Sequence, residues 1–500
     1  MSGVAHRGGD LRSYLSSVAC FLTLILAGRV TAQTFAVLHN FSATSSDSYT
    51  NWDGAQPYQT GLVLSGTSLY GTTLYGGVNG RGTVFSVNTN GNDFTVLHTF
   101  SASQSPDYTN LDGEYPQGGL VLLGGTLYGT TLNGGTNSGG YGTLFSVGTN
   151  GTGFTAIQSF DSIPNGSNPN GGLVVSGNKI YGTTQESGAT NGFGTVFSVN
   201  TDGTGLEVLH TFTVTTTNYP YANEDGGEPD SGLILSGDTL YGTAQFIGPY
   251  ANGTIFSIKT NGADFTVLHT FTAGIGPYNT NADGAFPRAA LVLSCGTLYG
   301  TASFGGDYDK GVLFSVSTNG SDFKVLHAFT DLDGGRFNLD GAFPTAPLLL
   351  LGNTLYGTAN VGGVGGNGTV FSLNTGGSGF TVLHSFAATS FGTNSDGMYP
   401  ECTLALSGNT LYGTTEQGGA YGNGTVFSLF IPPQLTIIPS GPDVILTWPT
   451  NYAGFTLQST TNLGPSAVWT TNSAGPLVVN GQNAVTNSIS GTQTFFRLSQ

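Results

Sequence analysis

Hydrophobic and polar residues alternate along most of the chain in short runs that glycine-rich turns separate. Between Gly61 and Phe100 the runs GLVLS, SLYGTT, TVFSVNT and FTVLHTF are divided by SGT, LYGGVNGRG and NGND. A two-residue period is typical of strands with one buried face, and Asn-Gly between two such runs favours a tight hairpin. This segment therefore predicts a four-stranded antiparallel meander.

The same alternation predicts which side chains point together. In FTVLHTF one face should carry Phe94, Val96, His98 and Phe100. Gly71, which follows the LY pair, is expected to let neighbouring backbone approach closely because it has no Cβ. One such sheet cannot bury both faces alone, so copies of it must stack.

Three short strings recur in step along the chain. The tyrosine of LYG-like strings returns every 53–60 residues, and GTVFS-like and VLHxF-like strings follow the same period. The seven tyrosines are Tyr70, Tyr128, Tyr181, Tyr241, Tyr299, Tyr356 and Tyr412. Four-stranded units repeated radially form a β-propeller, whereas linear stacking forms a solenoid.

The two ends of the repeat region complement each other. FAVLHNF at 35–41 is a lone fourth strand, and the last repeat, which ends with GTVFSLF, lacks one. We expect the N-terminal strand to complete the last sheet, which favours a closed ring over a solenoid. The predicted fold is all-β: a seven-bladed β-propeller of four-stranded antiparallel blades, closed by an N-terminal strand, over residues 33–430.

The repeat strings stop at IPP, and residues 431–500 carry short alternating runs such as DVILTWPT and TFFRLSQ. With Trp448 and Trp469, this region resembles a small β-sandwich of fibronectin or immunoglobulin type. We expect it to form a separate C-terminal domain.

Residues 1–32 have a different character. Arg7 and Arg12 precede the apolar run LSSVACFLTLILAG, and small residues lead up to Ala32. This arrangement predicts a signal peptide cleaved after Ala32, and the apolar run is short for a membrane span. We expect a secreted or cell-surface protein with no membrane span after cleavage.

Charge narrows the choice of partners. The 500-residue chain has a formal net charge of −17, and loss of residues 1–32 makes it −19. An acidic surface repels nucleic acid and anionic lipid headgroups, so we expect no nucleic-acid partner. Neutral partners, cationic partners and divalent cations stay open, and we expect a monomer.

The strings LYGTT, GTVFSVNT, NGxxFTVLHxF and DGxxPxxGLVLSG recur in order over residues 35–430. This pattern resembles the GloVer-type tandem-repeat family of exported bacterial proteins. The third repeat departs from it, with AIQSF for VLHxF and NPNGG in place of the DG loop. The resemblance implies export and a variable C-terminal module, and it implies no catalytic activity to carry over.

Six histidines lie in the VLHxF strings, one per repeat. They could form a ring of metal ligands or bases, or they could be structural and hydrogen-bonded to a neighbouring strand. Gln158 takes the histidine's place in the third repeat, and an amide cannot act as a base at neutral pH. This substitution favours the structural interpretation.

Aspartates recur in the loops that join each fourth strand to the next first strand. In a propeller these long loops share one rim, which makes them candidates for ligand binding. The candidate residues are Asp53, Asp112, Asp225, Asp283, Asp340 and Asp396, with the aromatic residues Tyr115, Phe286, Phe343 and Tyr399 in or beside the same loops. Carboxylates suit Ca²⁺ or sugar hydroxyls and aromatic rings can stack on sugars, but Asp-Gly is also ordinary turn chemistry and the rings can be loop staples.

No set of residues forms a recognisable catalytic dyad or triad. Isolated charges outside the repeat strings include Glu114, Glu186, Arg288, Arg336 and Glu401. The sequence therefore predicts an exported, non-catalytic binding protein whose ligand is a polysaccharide or a cell-surface protein, with Ca²⁺ as an optional cofactor. A carbohydrate-active hydrolase or lyase that uses the same face is the alternative.

Overall fold

The computed structural model describes residues 34–499 except 47, 60, 191, 214–222, 275–279, 434, 441–442, 450–454, 464–466, 472–474, 480–481 and 489–493. The predicted signal peptide lies outside the described residues. One compact unit spans Phe35–Phe430, and residues from Ile431 onward belong to a second unit. Within the described ranges, no helix has the length and hydrophobicity of a transmembrane segment.

Each repeat folds into a four-stranded antiparallel sheet, and the strands are numbered along the chain. The first strand, β1 (Thr34–Asn40), precedes the first complete sheet. Sheet 1 contains β2 (Val63–Ser65), β3 (Ser68–Thr73), β4 (Thr83–Asn88) and β5 (Thr95–Thr99). Sheet 2 contains β6 (Val121–Leu123), β7 (Thr126–Thr131), β8 (Thr143–Gly148) and β9 (Thr155–Ser159). After the helical turn α1 (Ser162–Asn165), sheet 3 contains β10 (Val174–Ser176), β11 (Lys179–Thr184), β12 (Gly192–Asn200) and β13 (Glu207–Thr213).

The later repeats follow the same plan. Sheet 4 contains β14 (Ile234–Ser236), β15 (Thr239–Ala244), β16 (Thr254–Lys259) and β17 (Thr266–Thr270). A two-stranded ribbon of β18 (Asn281–Ala285) and β21 (Phe304–Gly306) accompanies sheet 5, which contains β19 (Val292–Ser294), β20 (Thr297–Ala302), β22 (Val312–Ser317) and β23 (Lys324–Ala328). Sheet 6 contains β24 (Leu349–Leu351), β25 (Thr354–Ala359), β26 (Thr369–Asn374) and β27 (Thr381–Ser385). Sheet 7 contains β28 (Ala405–Ser407), β29 (Thr410–Thr415), β30 (Thr425–Phe430) and, beside β30, the N-terminal strand β1. The all-β class and the four-stranded antiparallel repeat are thus confirmed.

The glycine after each LY pair faces an aromatic ring. Gly71 pairs with Phe85 across β3 and β4, and a methyl group placed on Gly71 would lie 2.7 Å from Phe85 Cζ. Equivalent glycines in the other six repeats meet the equivalent ring at 2.6–2.7 Å. The prediction that this glycine admits neighbouring backbone is therefore wrong. Its missing side chain instead makes room for a fully buried phenylalanine.

The fourth strand of sheet 1 contains a β-bulge. Val96 pairs with Phe85 whereas His98 pairs with Val84, so β5 advances two residues while β4 advances one. A bulge of this kind turns the following residues to the opposite face of the sheet. The prediction that alternate residues of FTVLHTF all share one face is therefore wrong, and His98 is directed toward the next sheet.

Each sheet packs one face on the sheet before it and the other face on the sheet after it. In sheet 1, Phe85 and Phe94 pack with sheet 7, whereas Phe100 packs with sheet 2. Similar buried clusters join sheets 2 and 3, 3 and 4, 4 and 5, and 5 and 6. Sheets 6 and 7 meet where the Phe35 ring stacks on His384, with the ring centroids 3.9 Å apart. The series of contacts therefore returns to its starting point.

The second unit contains two smaller sheets. One has the order β31 (Thr436–Ser440), β32 (Asp443–Pro449), β36 (Gln482–Ser488), β35 (Leu477–Val479), and the other has the order β34 (Thr470–Thr471), β33 (Thr456–Thr460), β37 (Phe495–Ser499). Leu446 and Trp448 of the first sheet are buried together with Leu457 of the second. The two sheets thus share one hydrophobic core.

Candidate functional site

Each of the six aspartates predicted to bind ligand hydrogen-bonds to the histidine of its own repeat. The distances from histidine Nε2 to aspartate Oδ2 are 2.8–3.2 Å. The pairs are His39–Asp53, His98–Asp112, His210–Asp225, His269–Asp283, His327–Asp340 and His384–Asp396. The sequence predictions treated the two residue types as independent and missed this pairing.

The aspartate carboxylates also hold the start of the loop. Asp112 accepts hydrogen bonds from the Ser101 hydroxyl and from the Ser101 backbone N–H at 3.0 Å. Burial alone would raise the pKa of Asp112, but the hydrogen bonds from His98 and Ser101 outweigh burial and lower it below 3.8. The same balance lowers the pKa of Asp283 and of Asp340. These carboxylates are therefore stabilised in the ionised form by protein donors.

The histidine ring also contacts the next sheet. His98 stacks on Phe154 of sheet 2, with centroids 3.5 Å apart and planes inclined by 5°. The remaining five histidines stack in the same way on Phe94, Phe265, Phe323, Phe380 and Phe35. The histidines are hydrogen-bonded, as predicted, but the prediction of a neighbouring strand as the partner is wrong, because each partner is an aspartate of the following loop.

All three members of this unit are replaced around β9 of sheet 2, the strand of the AIQSF string. Gln158 replaces the histidine, and Leu206 stands where the next sheet would present its phenylalanine. Asn165 replaces the aspartate, since its carbonyl accepts from Thr195 at 3.1 Å as the Asp53 carbonyl accepts from Thr83. Joint replacement indicates that histidine, aspartate and phenylalanine work as one unit, which we call the bracket. Ligand binding by the bracket carboxylates stays a prediction.

The four predicted aromatic residues are half-buried and have left-handed backbone, with φ of 56–60°. The Tyr115 N–H donates to the Arg81 carbonyl of sheet 1 at 3.0 Å, and its ring lies 5.4 Å from that of Tyr75. Phe286 packs against Phe246, and Phe343 packs against Phe304, each in the preceding repeat. The Tyr399 N–H donates to the Asn367 carbonyl of the preceding repeat at 3.1 Å. All four residues thus hold their loops to the preceding repeat.

A proline follows each of these four residues, and the corresponding loops of the other three repeats have a proline at the same position. Each proline packs on a glycine of the preceding repeat. A methyl group added to that glycine would lie 2.5–2.9 Å from the proline Cδ. The contacts are Gly82–Pro116, Gly142–Pro169, Gly194–Pro229, Gly253–Pro287, Gly311–Pro344, Gly368–Pro400 and Gly424–Pro57. The last contact joins the final repeat to the first. The backbone that follows each proline is therefore placed in the same way in all seven repeats.

The residue after each proline differs in every repeat. These residues are Tyr58, Gln117, Asn170, Asp230, Arg288, Thr345 and Glu401. Five of them, from Asn170 to Glu401, line a cavity of about 310 Å³ whose wall includes residues from all seven repeats. We call this cavity the axial cavity. It brings together five side chains that hold equivalent positions in their repeats and differ in chemistry.

Glu401 is the most buried carboxylate of the axial cavity, with 7% of its surface exposed. Asn360 Nδ2 donates to Glu401 Oε1, while Oε2 has no partner among the described residues. Burial, reinforced by the nearby Glu416 carboxylate, raises the pKa of Glu401 to about 8. Glu401 therefore tends to keep its proton at neutral pH.

Asp230 and its neighbours share this electrostatic environment. Burial raises the pKa of Asp230 to about 6, although Arg288 opposes the shift. Burial also raises the pKa of Glu228 to about 6, and the pKa of Tyr58 is raised by burial and by Glu401. The carboxylates around the axial cavity thus resist ionisation.

The sequence predictions named Arg288 and Glu401 only as isolated charges. Alignment of the seven loops on their proline would have placed both residues at one repeated position. What the sequence could not supply is the common cavity, which depends on the closed series of sheets. Among the described residues, no three His, Cys, Asp or Glu side chains are grouped so as to hold a metal ion.

Three comparisons relate the chain to known proteins. Comparison with curated proteins gave no match. Similar solved structures include an oligogalacturonate lyase from Vibrio parahaemolyticus, with 10% identity, 80% of this chain and 97% of that chain covered, and a TM-score of 0.45. A puromycin-hydrolyzing peptidase from Mycobacterium tuberculosis has 11% identity, covers 82% of this chain and 62% of its own, and has a TM-score of 0.45. A nidogen/laminin complex shows 15% identity over 61% of this chain and 91% of that chain, with a TM-score of 0.36. Similarity at this level transfers no activity.

The family described as the Gloeobacter/Verrucomicrobia repeat matches residues 27–186 and 139–338. The two matches overlap and together cover more than half of the 500 residues. They include the repeat strings from residue 35 to residue 338. The chain therefore belongs to the Gloeobacter/Verrucomicrobia repeat family.

Proposed function

We propose that the chain is an exported binding protein: a seven-bladed β-propeller over residues 33–430 that carries a β-sandwich over residues 431–500. The propeller is supported by seven consecutive four-stranded sheets and by β1 as the fourth strand of sheet 7. The sandwich is supported by two sheets with one core. Export is supported by the charged and apolar pattern of residues 1–32.

The proposed ligand is a glycan, and its proposed site is the axial cavity. The observation that carries this proposal is the divergence of the seven proline-following residues within an otherwise regular ring. The cavity volume lies at the lower end of the range for small-molecule sites. Amide, hydroxyl and carboxyl groups on its wall match the donors and acceptors of a sugar.

A glycan array tests this function. The protein should retain a defined set of glycans, and Asn170→Ala should weaken their binding because Asn170 lines the cavity and its Oδ1 has no partner among the described residues. Glu207→Gln is the matched surface control, since Glu207 lies at the exposed start of β13. Failure to retain any glycan, or equal binding by Asn170→Ala, would contradict the proposal.

The same array with a chelator tests the predicted role of Ca²⁺. If the bracket aspartates hold Ca²⁺ for the ligand, the chelator and Asp112→Ala should abolish binding alike. If the axial cavity is the site, binding should persist with the chelator. The two ligand positions are thereby distinguished.

A hydrolase or lyase is the second candidate, because Glu401 and Asp230 line the same cavity. Glu401, with its higher pKa, would serve as the acid and Asp230 as the base. Incubation with the glycans retained on the array should then release shorter products. Glu401→Gln should abolish that release, and an absence of products with the unaltered protein would exclude this candidate.

A further inference from the structure

We propose that the axial cavity recognises a protonated primary amine on its ligand. This inference rests on the proposed function, since it specifies the chemistry of the ligand at the same site. It is argued from the balance of hydrogen-bond donors and acceptors, from the distribution of charge and from the protonation of Glu401.

The unpartnered buried atoms of the cavity wall are mainly acceptors once Glu401 has given up its proton. Among the described residues, Asn170 Oδ1, Asp230 Oδ1 and Glu401 Oε2 have no hydrogen-bond partner. Asn360 Oδ1, on the side chain that bonds to Glu401, also has no partner among the described residues. On the donor side Arg288 Nε is without a partner among the described residues, and so is the Thr345 hydroxyl, which can donate or accept. Buried acceptors are costly unless a donor reaches them, so a molecule in the cavity must bring several donors. An ammonium group brings three donors and no acceptor.

The charges favour the same chemistry. Arg288 is the only basic residue among the described residues of the cavity wall, which also carries Asp230 and Glu401. Glu228 lies close enough to Asp230 and Arg288 for their charges to shift its pKa, and Glu416 acts on Glu401 in the same way. One guanidinium therefore stands against two acidic groups on the wall and two more nearby. A cation in the cavity favours the ionised form of these groups, whereas an anion opposes their ionisation.

Protonation couples this binding to pH. The charged groups that act on Glu401 are Glu416, Arg288 and Asp230, and Asn360 bonds to it. An ammonium group beside Glu401 favours the carboxylate form and therefore releases the proton that Glu401 holds in the empty cavity. Binding of the amine should strengthen as pH rises from 6 to 8. A neutral sugar should show no such dependence.

Calorimetry with two matched pairs of ligands tests the proposal. The first pair is methyl 6-amino-6-deoxyglucoside and methyl glucoside, which differ in one amine for one hydroxyl. The second pair is 1,4-diaminobutane and 1,4-butanediol, which contain no sugar. We expect the amine of each pair to bind roughly tenfold or more tightly than its hydroxyl analogue, since hydrogen bonds to charged groups are the stronger ones. The heat of amine binding should differ between two buffers of different ionisation enthalpy, because the buffer takes up the proton that binding releases.

Substitutions test which residues determine the preference for the amine and the release of the proton. Glu401→Gln keeps the shape of the side chain but removes its charge, and it should abolish both the preference for the amine and the proton release. Asp230→Asn should reduce the preference without abolishing proton release. Glu207→Gln, on the surface, should change neither property. Thermal unfolding of each variant checks that the fold is retained.

The outcomes separate the two proposals. Equal affinity for amine and hydroxyl ligands, or a preference that survives Glu401→Gln, overturns the amine inference and leaves a glycan site in place. Binding of diaminobutane without either glucoside supports the amine inference and counts against a glycan. Absence of binding by all four ligands overturns the amine inference, and the glycan array then decides the proposed function separately.

Discussion

At the scale of single residues, the bracket couples a loop to a strand and one sheet to the next. His98 bonds to Asp112 of the following loop while its ring stacks on Phe154 of the next sheet. Six complete copies and one repeat that lacks all three members occur in the same chain. The repeat without the bracket provides an internal comparison for measuring what the bracket contributes.

Loss of one bracket carboxylate should lower stability. Asp283→Asn removes the charge-assisted bonds to His269 and Thr272, which should reduce the free energy of unfolding by about 1.5–3 kcal/mol. Urea unfolding gives this quantity. Asp307→Asn, at an exposed position, should stay within about 0.5 kcal/mol of the parent. Equal effects of the two substitutions would mean that the bracket contributes no stability.

The brackets should also make stability depend on pH. The pKa values of Asp112, Asp283 and Asp340 are lower in the folded protein than their ordinary value of 3.8. Their contribution is therefore complete above pH 3.8 and is lost as pH falls through the lower folded values, because the unfolded chain binds more protons there. Unfolding free energies measured from pH 6 to pH 2 should fall, and Asp283→Asn should make that fall shallower. An unchanged slope in Asp283→Asn would contradict this assignment.

The sequence identified the histidines and aspartates of the bracket as candidates, but it did not predict that they pair. Histidine and aspartate are separated by 12–15 residues, so no fixed spacing marks the pair. The bulge that aims His98 at the next sheet is invisible in a two-residue alternation. The joint change of Gln158, Asn165 and Leu206 was the available signal, and it needs the repeats to be compared with one another.

At the scale of elements, glycines explain why the repeats tolerate so little variation. The glycine before each third strand meets the next repeat's proline, and the glycine of the second strand meets a phenylalanine ring. In both contacts, a side chain of another residue occupies the space that a Cβ on the glycine would fill. Strand order and strand number followed from the sequence, whereas these contacts depend on how neighbouring repeats approach.

Substitution of a contact glycine should cost more than substitution of a turn glycine. In Gly142→Ala the new methyl group would collide with the Thr131 carbonyl oxygen and lie 2.6 Å from Pro169 Cδ, at φ 97°, and the substitution should cost about 2–4 kcal/mol. Gly124→Ala has φ 57° but open space around it and should cost about 1 kcal/mol. Urea unfolding compares the two variants. If both substitutions lower the free energy of unfolding by a similar amount, the positive φ alone accounts for the cost, and the close contacts of Gly142 contribute nothing.

At the scale of the whole molecule, the first strand joins the last sheet to the first. The Phe41 N–H donates to the Gly424 carbonyl at 3.2 Å, and Asn423 Nδ2 donates to the Ser42 carbonyl at 2.6 Å. The Phe41 side chain is fully buried in the cluster shared by sheets 7 and 1. The complementary chain ends predicted that β1 completes sheet 7. They could not predict the axial cavity, whose wall includes residues from all seven repeats.

Removal of the Phe41 side chain should weaken this junction. Phe41→Ala should lower the free energy of unfolding by about 3–5 kcal/mol, because it leaves a hole in a fully buried cluster. Phe391→Ala is the control of the same chemistry, since Phe391 is wholly exposed. Guanidinium unfolding of both variants measures the difference. Near-equal values would show that the junction does not limit stability.

Each glycine–proline contact joins two neighbouring repeats, and the residue that follows the proline is free to differ from repeat to repeat. Gene duplication multiplies such a contact unchanged, and a later point mutation at the following codon alters one position of the wall without disturbing the joint. Exchanges at these positions can therefore change the chemistry of the cavity wall while the glycine–proline contacts keep the architecture constant.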